Sequence, residues 1–307
     1  IKICVLLSKM GLKLGNILPR RDISFLELKG KTLAVDTYVH LYEFLTTLPK
    51  LTDKHGRTTS HLNGLFFRTT RLMAEGIKLC FVFDGFFPAV GVRYKRFYRT
   101  AKPRITKTIT EYVVDSSKRL LRLLGLPVIQ APSEAEAQAA FMCSRGDVWA
   151  VASKDLDAIM FCAKRLVQNL TFSKKRRLPK GGFVWYGPYL YEWKEIRRCL
   201  GLNKKKFIAL CILSGTDFNP GGAPGVGPRK ALQLVKRYGL KAFSYVKWPF
   251  SFHWKDLFYL IENIPITKSY RLRWKKVKRN AVIRFLCDEH DFDVKRVESA
   301  LKKLENV

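Results

Sequence analysis

Acid is scarce in this chain of 307 residues: 25 Asp and Glu stand against 57 Lys and Arg, a formal charge of +32. So lopsided a balance points to a polyanionic partner, with nucleic acid first and a membrane surface second. A long apolar run is missing too, since none approaches the roughly 18 residues of a spanning helix. The basic segments interleave with core segments instead of forming one amphipathic helix, which sets the membrane aside. Cysteine pairing is also absent. The seven cysteines (Cys4, Cys80, Cys143, Cys162, Cys199, Cys211 and Cys287) are odd in number, scattered and without a CxxC pair. Reduced, buried thiols in an intracellular protein are the plain reading. The chain holds no internal repeat and no low-complexity tract. Residues 1–9, IKICVLLSK, combine a Lys with a short apolar run as a weak signal peptide would, but no small-residue cleavage site follows. Met10 then begins what reads as a natural start, so 1–9 is expected to be an extension with no role in the fold.

What is present is a 47% apolar composition, enough at this length for a full α/β core and a smaller appended unit. Three βα-like units are visible. Strand 31–36 precedes a helical stretch at 37–47, and helix 60–75 leads to strand 79–84. Helix 111–124, a short strand at PVIQ, helix 134–144 and strand 148–152 make the third. The alternation predicts a mostly parallel sheet flanked by helices. Residues 89–108 are basic and aromatic and read as an insertion, while 173–182, SKKRRLPKGG, reads as a basic turn or hairpin. Helices are predicted at 204–214, 228–238, 254–262 and 293–304.

Against the basic background, seven acids stand out. KTLAVD ends at Asp36, KLCFVFDG carries Asp84, and VWAVASKDLD carries Asp155 and Asp157. In an open parallel sheet such acids gather outside the carboxyl ends of the strands, where ligands bind. Clustered carboxylates need cations, and all-oxygen donors suit Mg2+ or Mn2+. Taken singly, Asp36 and Asp84 also read as turn-forming acids. Acids two apart in an extended segment project on one face, so Asp155 and Asp157 could hold one ion together. In APSEAEAQ, Ser133 and Glu136 have the spacing of a capping box, and taken alone Glu134 and Glu136 read as a helix start. Asp217 closes the apolar helix FIALCILSG. Gly225-Val226-Gly227-Pro228 then opens another helix, a turn whose N–H groups could hold a phosphate, with Arg229, Lys230, Lys236 and Arg237 beside it.

Together these segments resemble the flap endonucleases, archaeal-type members of the structure-specific 5′ nuclease superfamily. The resemblance runs from MGLKLGNILPR (10–20) through AVDTYVHLYEFL, TSHLNGLFFRT, FVFDGFFP, LLGLPVIQAPSEAEAQAA, VWAVASKDLDAIMF, LVQNLT, ILSGTDFNPGG and GVGPRKAL to FLCDEHDF, in the family order. It implies a PIN-like core over 10–220, with an arch-like insertion at 89–108, and a helical DNA-binding region over 221–307. It implies that Asp36, Asp84, Glu134, Glu136, Asp155, Asp157 and Asp217 are active-site carboxylates for two Mg2+ or Mn2+ ions, which hydrolyse branched or flapped DNA to a 5′-phosphate. Glu134, Glu136, Asp155 and Asp84 would serve the ion that activates water; Asp157, Asp217 and Asp36 would take the outer positions. Gly225 and Gly227 would belong to a helix–two-turn–helix that holds duplex, commonly with K+. Tyr42 would stack on a base, and Arg68 would grip the far duplex. The resemblance further implies a monomer working in replication and repair, cytoplasmic in a prokaryote or nuclear in a eukaryote.

Two departures stand beside it. The segment 89–108 is much shorter than the family's arch, so either the arch is reduced or arch residues are missing from this sequence; Gly91 and Tyr98 stand where Lys and Arg are expected, and in a reduced arch Arg93, Lys95, Arg96 and Arg99 would share the steering role. This sequence does not contain the peptide by which relatives dock on a sliding clamp, which leaves clamp binding open. A sister exonuclease or junction resolvase with a reduced arch and a non-catalytic DNA-binding scaffold are the alternatives.

Overall fold

The computed structural model describes residues 12, 14–85, 109–170, 175–177, 183–185 and 187–305. The segment 89–108, with Arg93, Lys95, Arg96 and Arg99, and residues 1–9 lie outside them. A seven-stranded sheet runs in the order β1-β9-β6-β5-β2-β3-β4. Its parallel centre consists of β2 (Thr32–Asp36), β3 (Lys78–Phe83), β4 (Val128–Gln130), β5 (Ala150–Ala152) and β6 (Arg165–Gln168). β9 (Tyr189–Glu192) and the two-residue β1 (Arg21–Asp22) close one side in antiparallel fashion. A separate hairpin pairs β7 (Lys175–Arg177), within the expected basic turn, with β8 (Phe183–Trp185) just beyond it. The mostly parallel α/β sheet is therefore as the sequence predicts, and the antiparallel edge is an addition.

Strand alternation builds two cores. Ala34, Cys80 and Val82 face a cluster with the helices Ala135–Arg145 and Lys204–Ser214. Leu33, Val35, Leu79, Phe81 and Phe83 face the other cluster, with the helices Thr37–Thr47, Ser60–Ala74 and Glu111–Leu123. A strand covered on both faces must be apolar throughout, which is why TLAV and KLCFVF show no polar alternation. The helix Glu111–Leu123 buries Val113, Val114, Ser117, Leu120 and Leu121, the spacing of one helical face. Thr110 caps it by accepting the Val113 N–H at 3.4 Å.

Later helices complete both faces. Pro228–Tyr238 and Trp254–Glu262 join the first cluster; Arg279–Ile283 and Val294–Lys302 join the second. An extended strap, 263–278, connects them. Buried Gln138 fixes its start twice, donating to the Thr267 carbonyl at 3.0 Å and accepting the Thr267 N–H at 2.7 Å. Trp274 Nε1 donates to the Leu79 carbonyl at 2.8 Å, and the Lys275 N–H donates to Gly125 O at 2.8 Å.

His61 lies wholly buried, its Nε2 2.8 Å from Ser116 Oγ. Burial, with His290 nearby, lowers its pKa to about 3. The unfolded chain takes up this proton below about pH 6.5 and the folded chain does not, so stability falls as pH drops from about 6.5 toward 3, at up to about 1.4 kcal/mol per unit. His61→Asn is expected to reduce the acid slope of unfolding free energy by close to one proton. Urea unfolding at pH values between about 4.5 and 6 checks it; an unchanged slope would show that His61 protonates in the folded state.

Candidate active site

The strand order reverses between β2 and β5: from β2 the chain moves to β3 and β4, then returns to β5 on the other side. A ligand crevice is expected at that carboxyl edge, and the acids lie there. Asp36 ends β2 and opens the helix Thr37–Thr47, yet its side chain makes no capping bond to that helix. Val35 pairs with Ala152, which sets Asp36 across from Ser153. Ser153, almost wholly buried, brings its Oγ to 3.3 Å from Asp36 Oδ2 and 2.8 Å from Glu136 Oε1, and accepts the Asp155 N–H at 3.2 Å. A hydroxyl donates one proton at a time, so Ser153 serves one of the two carboxylates at any moment while holding both close.

Asp84 enters from β3. The Ala135 N–H donates to Asp84 Oδ1 at 2.7 Å, so Asp84 satisfies the first turn of the Glu136-bearing helix. That helix starts with Glu134 as its cap residue, not Ser133, and Glu134 forms no capping bond. The capping box that the Ser133–Glu136 spacing suggests is therefore not what starts the helix; a carboxylate from a neighbouring strand stands in. Gly85 makes this approach feasible. Its N–H donates to the Ser133 carbonyl at 2.7 Å, and a Cβ there would lie 2.4 Å from the Pro132 carbonyl carbon. Asp36, Glu134, Glu136 and Asp157 are all buried. Asp157 Oδ1 accepts the Leu12 N–H at 3.1 Å.

Asp217 comes from a different element. The helix Lys204–Ser214 packs on the short helix Asp157–Met160, and beyond its end the buried Asn219 locks the turn. Asn219 Oδ1 accepts from Thr216 Oγ1 at 2.7 Å, and its Nδ2 donates to Ile212 O at 2.7 Å. Further on, Gly225 adopts φ of 71°, and Gly227 precedes the helix Pro228–Tyr238, leaving its first N–H groups without a side-chain cap. Lys230 Nζ donates back to Gly225 O at 3.4 Å.

Glu43, Lys154 and the buried His40, none of which stands out in sequence, gather with Arg68 next to the loop that carries Asp155. Glu43 Oε2 accepts from Arg68 at 2.8 Å, its Oε1 takes Lys154 Nζ, and His40 Nδ1 lies 3.7 Å away. Burial alone would raise the Glu43 pKa, but His40, Arg68 and Lys154 hold the carboxylate far below its usual range. Arg68, called as a duplex contact, has its guanidinium on Glu43 and over the Phe44 ring at 4.6 Å. Tyr42 packs half-buried at the rim of the second core. Tyr38 stays a neutral phenol, pushed up to about 12 by burial and by Asp84 and Asp115. The signal for Ser153 and Lys154 was present in ASKDLD, directly before the acid pair.

Among the described residues no three His, Cys, Asp or Glu side chains close round one point. The acids instead meet in pairs, Asp36 with Glu136 through Ser153 and Asp84 against the start of the Glu134 helix. Such a set fits a hard, hydrated divalent ion, which keeps several waters and takes one or two carboxylates directly.

The XPG N-terminal domain matches residues 11–103 and the XPG I-region residues 125–217. Flap endonuclease 1 of Pyrococcus abyssi is 40% identical over 331 aligned positions, which cover 96% of this chain and 94% of the relative. This chain belongs to the flap endonuclease 1 family. Among solved structures, the flap endonuclease-1 from Methanococcus jannaschii superposes with a TM-score of 0.83 at 32% identity, covering 96% of this chain and 98% of that one. The catalytic core of Rad2 in complex with DNA substrate, at 22% identity and a TM-score of 0.75, shares the fold. The Pyrococcus alignment is longer than the chain, 331 positions against 307, so that flap endonuclease carries internal segments this member lacks. Nucleases of this family depend on divalent metal ions and hydrolyse phosphodiester bonds of DNA.

Ser153 gives the site a test of its own. Ser153→Ala removes the hydroxyl between Asp36 and Glu136, and loss of such an outer partner typically costs about 10–100-fold in metal affinity or activity. The variant is expected to need that much more divalent ion for half-maximal cleavage with little change in melting temperature. A metal titration of the cleavage rate checks it, and an unchanged midpoint would make Ser153 a packing residue only.

Proposed function

We propose that the chain is a structure-specific 5′ flap endonuclease with 5′–3′ exonuclease action, cutting branched DNA at a single-strand/duplex junction in replication and repair. The observation that carries this is the convergence on Ser153 of Asp36, Glu136 and the Asp155 backbone, at the reversal point of a flap-endonuclease sheet. Two Mg2+ ions, with Mn2+ as substitute, would neutralise the acids, lower the pKa of a water and polarise the scissile phosphate.

The chain's own residues do the remainder. Glu134, Glu136, Asp155 and Asp84 would hold the position that activates water, and Asp157 and Asp217 the outer one. Asp36, tied to Glu136 through Ser153, is assigned to the boundary between them. His40, Arg68 and Lys154 keep Glu43 ionised, and Lys154 directly precedes Asp155. Arg229, Lys230 and Arg237, with the N–H groups after Gly225 and Gly227, would hold intact duplex through its backbone without reading sequence, and a K+ ion would suit the same turn. Tyr42 would stack on a base, and the Arg68 helix would face the far duplex. Arg93, Lys95, Arg96 and Arg99 would share the steering of the flap. We assign 10–220 to catalysis and 221–307 to duplex holding, in a monomer placed with the cell's DNA.

Cleavage of a panel of flap, nicked and four-way DNAs tests the reading. A flap is expected to be cut fastest, one strand at the junction, leaving a 5′-phosphate. Preferential, symmetric cutting of the four-way DNA would make the protein a junction resolvase, and binding without cutting in Mg2+ would make it a scaffold.

A further inference from the structure

At the opposite edge of the sheet, where the parallel strands begin, the surface reverses sign. A cavity of about 640 Å3 opens there between the start of β6, the end of β9 and the helix Trp193–Leu200. Its charged lining is Lys164, Arg165, Glu192, Lys194, Arg197 and Arg198. Arg165 is paired with Glu192 at 3.2 Å, and Arg198 with Glu195 at 2.5 Å. Lys164, Lys194 and Arg197 make no ion pair among the described residues, and all three are exposed. The cations continue beyond the cavity at strand spacing. Arg165 and Lys31 lie 5.2 and 5.8 Å from the ring centre of Trp149, and the Lys78 N–H donates to the Lys31 carbonyl at 2.9 Å. Lys164 and Arg165, Lys31 and Lys78 thus mark the starts of β6, β2 and β3. Adjacent strands lie about 4.8 Å apart, so this row is roughly 14 Å long.

The five-residue β2 separates this row from Asp36, a distance of about 16 Å, with the sheet between. A strand seated on the carboxylates cannot at the same point touch Lys164 or Arg197. We infer that this cavity and row form a second, non-catalytic site for the phosphodiester backbone of another nucleic-acid segment. Two features favour a backbone over a small phosphorylated ligand. The cations run on from the cavity to Lys31 and Lys78 along the starts of β2 and β3, further than a small ligand in the cavity reaches, and the long side chains on the helix, Lys194 and Arg197, are one turn apart along it. A backbone is recognised by such a row without any base contact. The site would let one molecule hold a substrate at one pole and a second duplex at the other.

The test is a capture assay in chelator, so that cleavage plays no part and the outcome is independent of the catalytic reading. Full-length protein is loaded on a bead-bound flap DNA, and a labelled blunt duplex is added. The wild type is expected to retain the second duplex. A triple variant, Lys164→Ala, Lys194→Ala and Arg197→Ala, is expected to lose about ten-fold or more of that retention. Its log–log salt slope should be shallower by about 2.7, at 0.9 for each phosphate contact. The same variant should keep the wild-type melting temperature and, in Mg2+, the wild-type single-turnover flap rate. Lys50→Glu with Lys54→Ala, both exposed and outside the cavity and the duplex-holding region, together remove the same three units of charge elsewhere and are expected to retain the duplex. Equal loss in that control would mean that only net charge matters and would overturn the site. Absence of capture by the wild type, or wild-type capture by the first triple variant, would overturn it too. Stoichiometric binding of tripolyphosphate, abolished in the triple variant while no second duplex is captured, would assign the cavity to small polyanions instead.

Discussion

Asp155→Asn is expected to lower single-turnover flap cleavage by about 10³-fold or more, the scale on which losing one preorganised electrostatic group acts, while DNA affinity holds or rises. The substitution keeps the size and shape of the side chain. Its backbone N–H can still donate to Ser153 Oγ, so the loop stays in place and the effect is one of charge. Removing one negative charge that faces phosphates favours ground-state binding even as it removes a ligand from the reacting centre. Quenched-flow cleavage alongside fluorescence anisotropy in Ca2+ separates the two. A variant with wild-type turnover would show that the wrong acids have been chosen.

Removal of divalent ions is expected to stop cleavage altogether and also to lower the melting temperature. Asp36, Glu134, Glu136 and Asp157 are buried carboxylates, with Asp36 and Glu136 both against Ser153, and like charges brought out of water repel unless a cation neutralises them. An ion that binds the folded chain alone stabilises it by RT ln(1 + [M]/Kd), about 2.7 kcal/mol at a hundred times Kd. Differential scanning calorimetry across a Mg2+ titration should therefore show a rise that tracks the activation curve. Robust cleavage in excess chelator would exclude metal-assisted hydrolysis, and a flat melting temperature would mean that the acids are neutralised by protons or by Lys154 and its neighbours.

The long, continuously apolar or regularly amphipathic segments are legible in the sequence itself. The helices at 37–47, 228–238 and 254–262 fall at the expected bounds, as does β2 within a residue. β1, β6 and β9 were not legible as strands, being two to four residues long with charged ends, too short for either periodicity to register. The acids stood out because carboxylates are rare in so basic a chain. Their partners did not, since Ser153 and Lys154 look like ordinary loop residues until β5 places them against β2. The helix start at Glu134 was misread for a related reason. Capping statistics describe local partners, and here the partner, Asp84, comes from fifty residues upstream. Glu43 and Arg68 are likewise twenty-five residues apart and carry no joint signal in sequence.

The strap that crosses from one face of the sheet to the other also sets a timetable for synthesis. β3 and the turn at Gly125 receive their last hydrogen bonds from Trp274 and Lys275, and Glu289 and Asp291 reach back to Arg57, Arg119 and Lys54. A ribosome adding about 5–20 residues per second needs roughly ten to fifty seconds to travel from the one set to the other. During that interval the second core lacks its final wall, and the acid-bearing loops lack the rigidity that holds Asp36 against Ser153. The nascent chain thus emerges as a strongly cationic polymer, able to bind nucleic acid, before the last helices dock and complete the walls of the nuclease core.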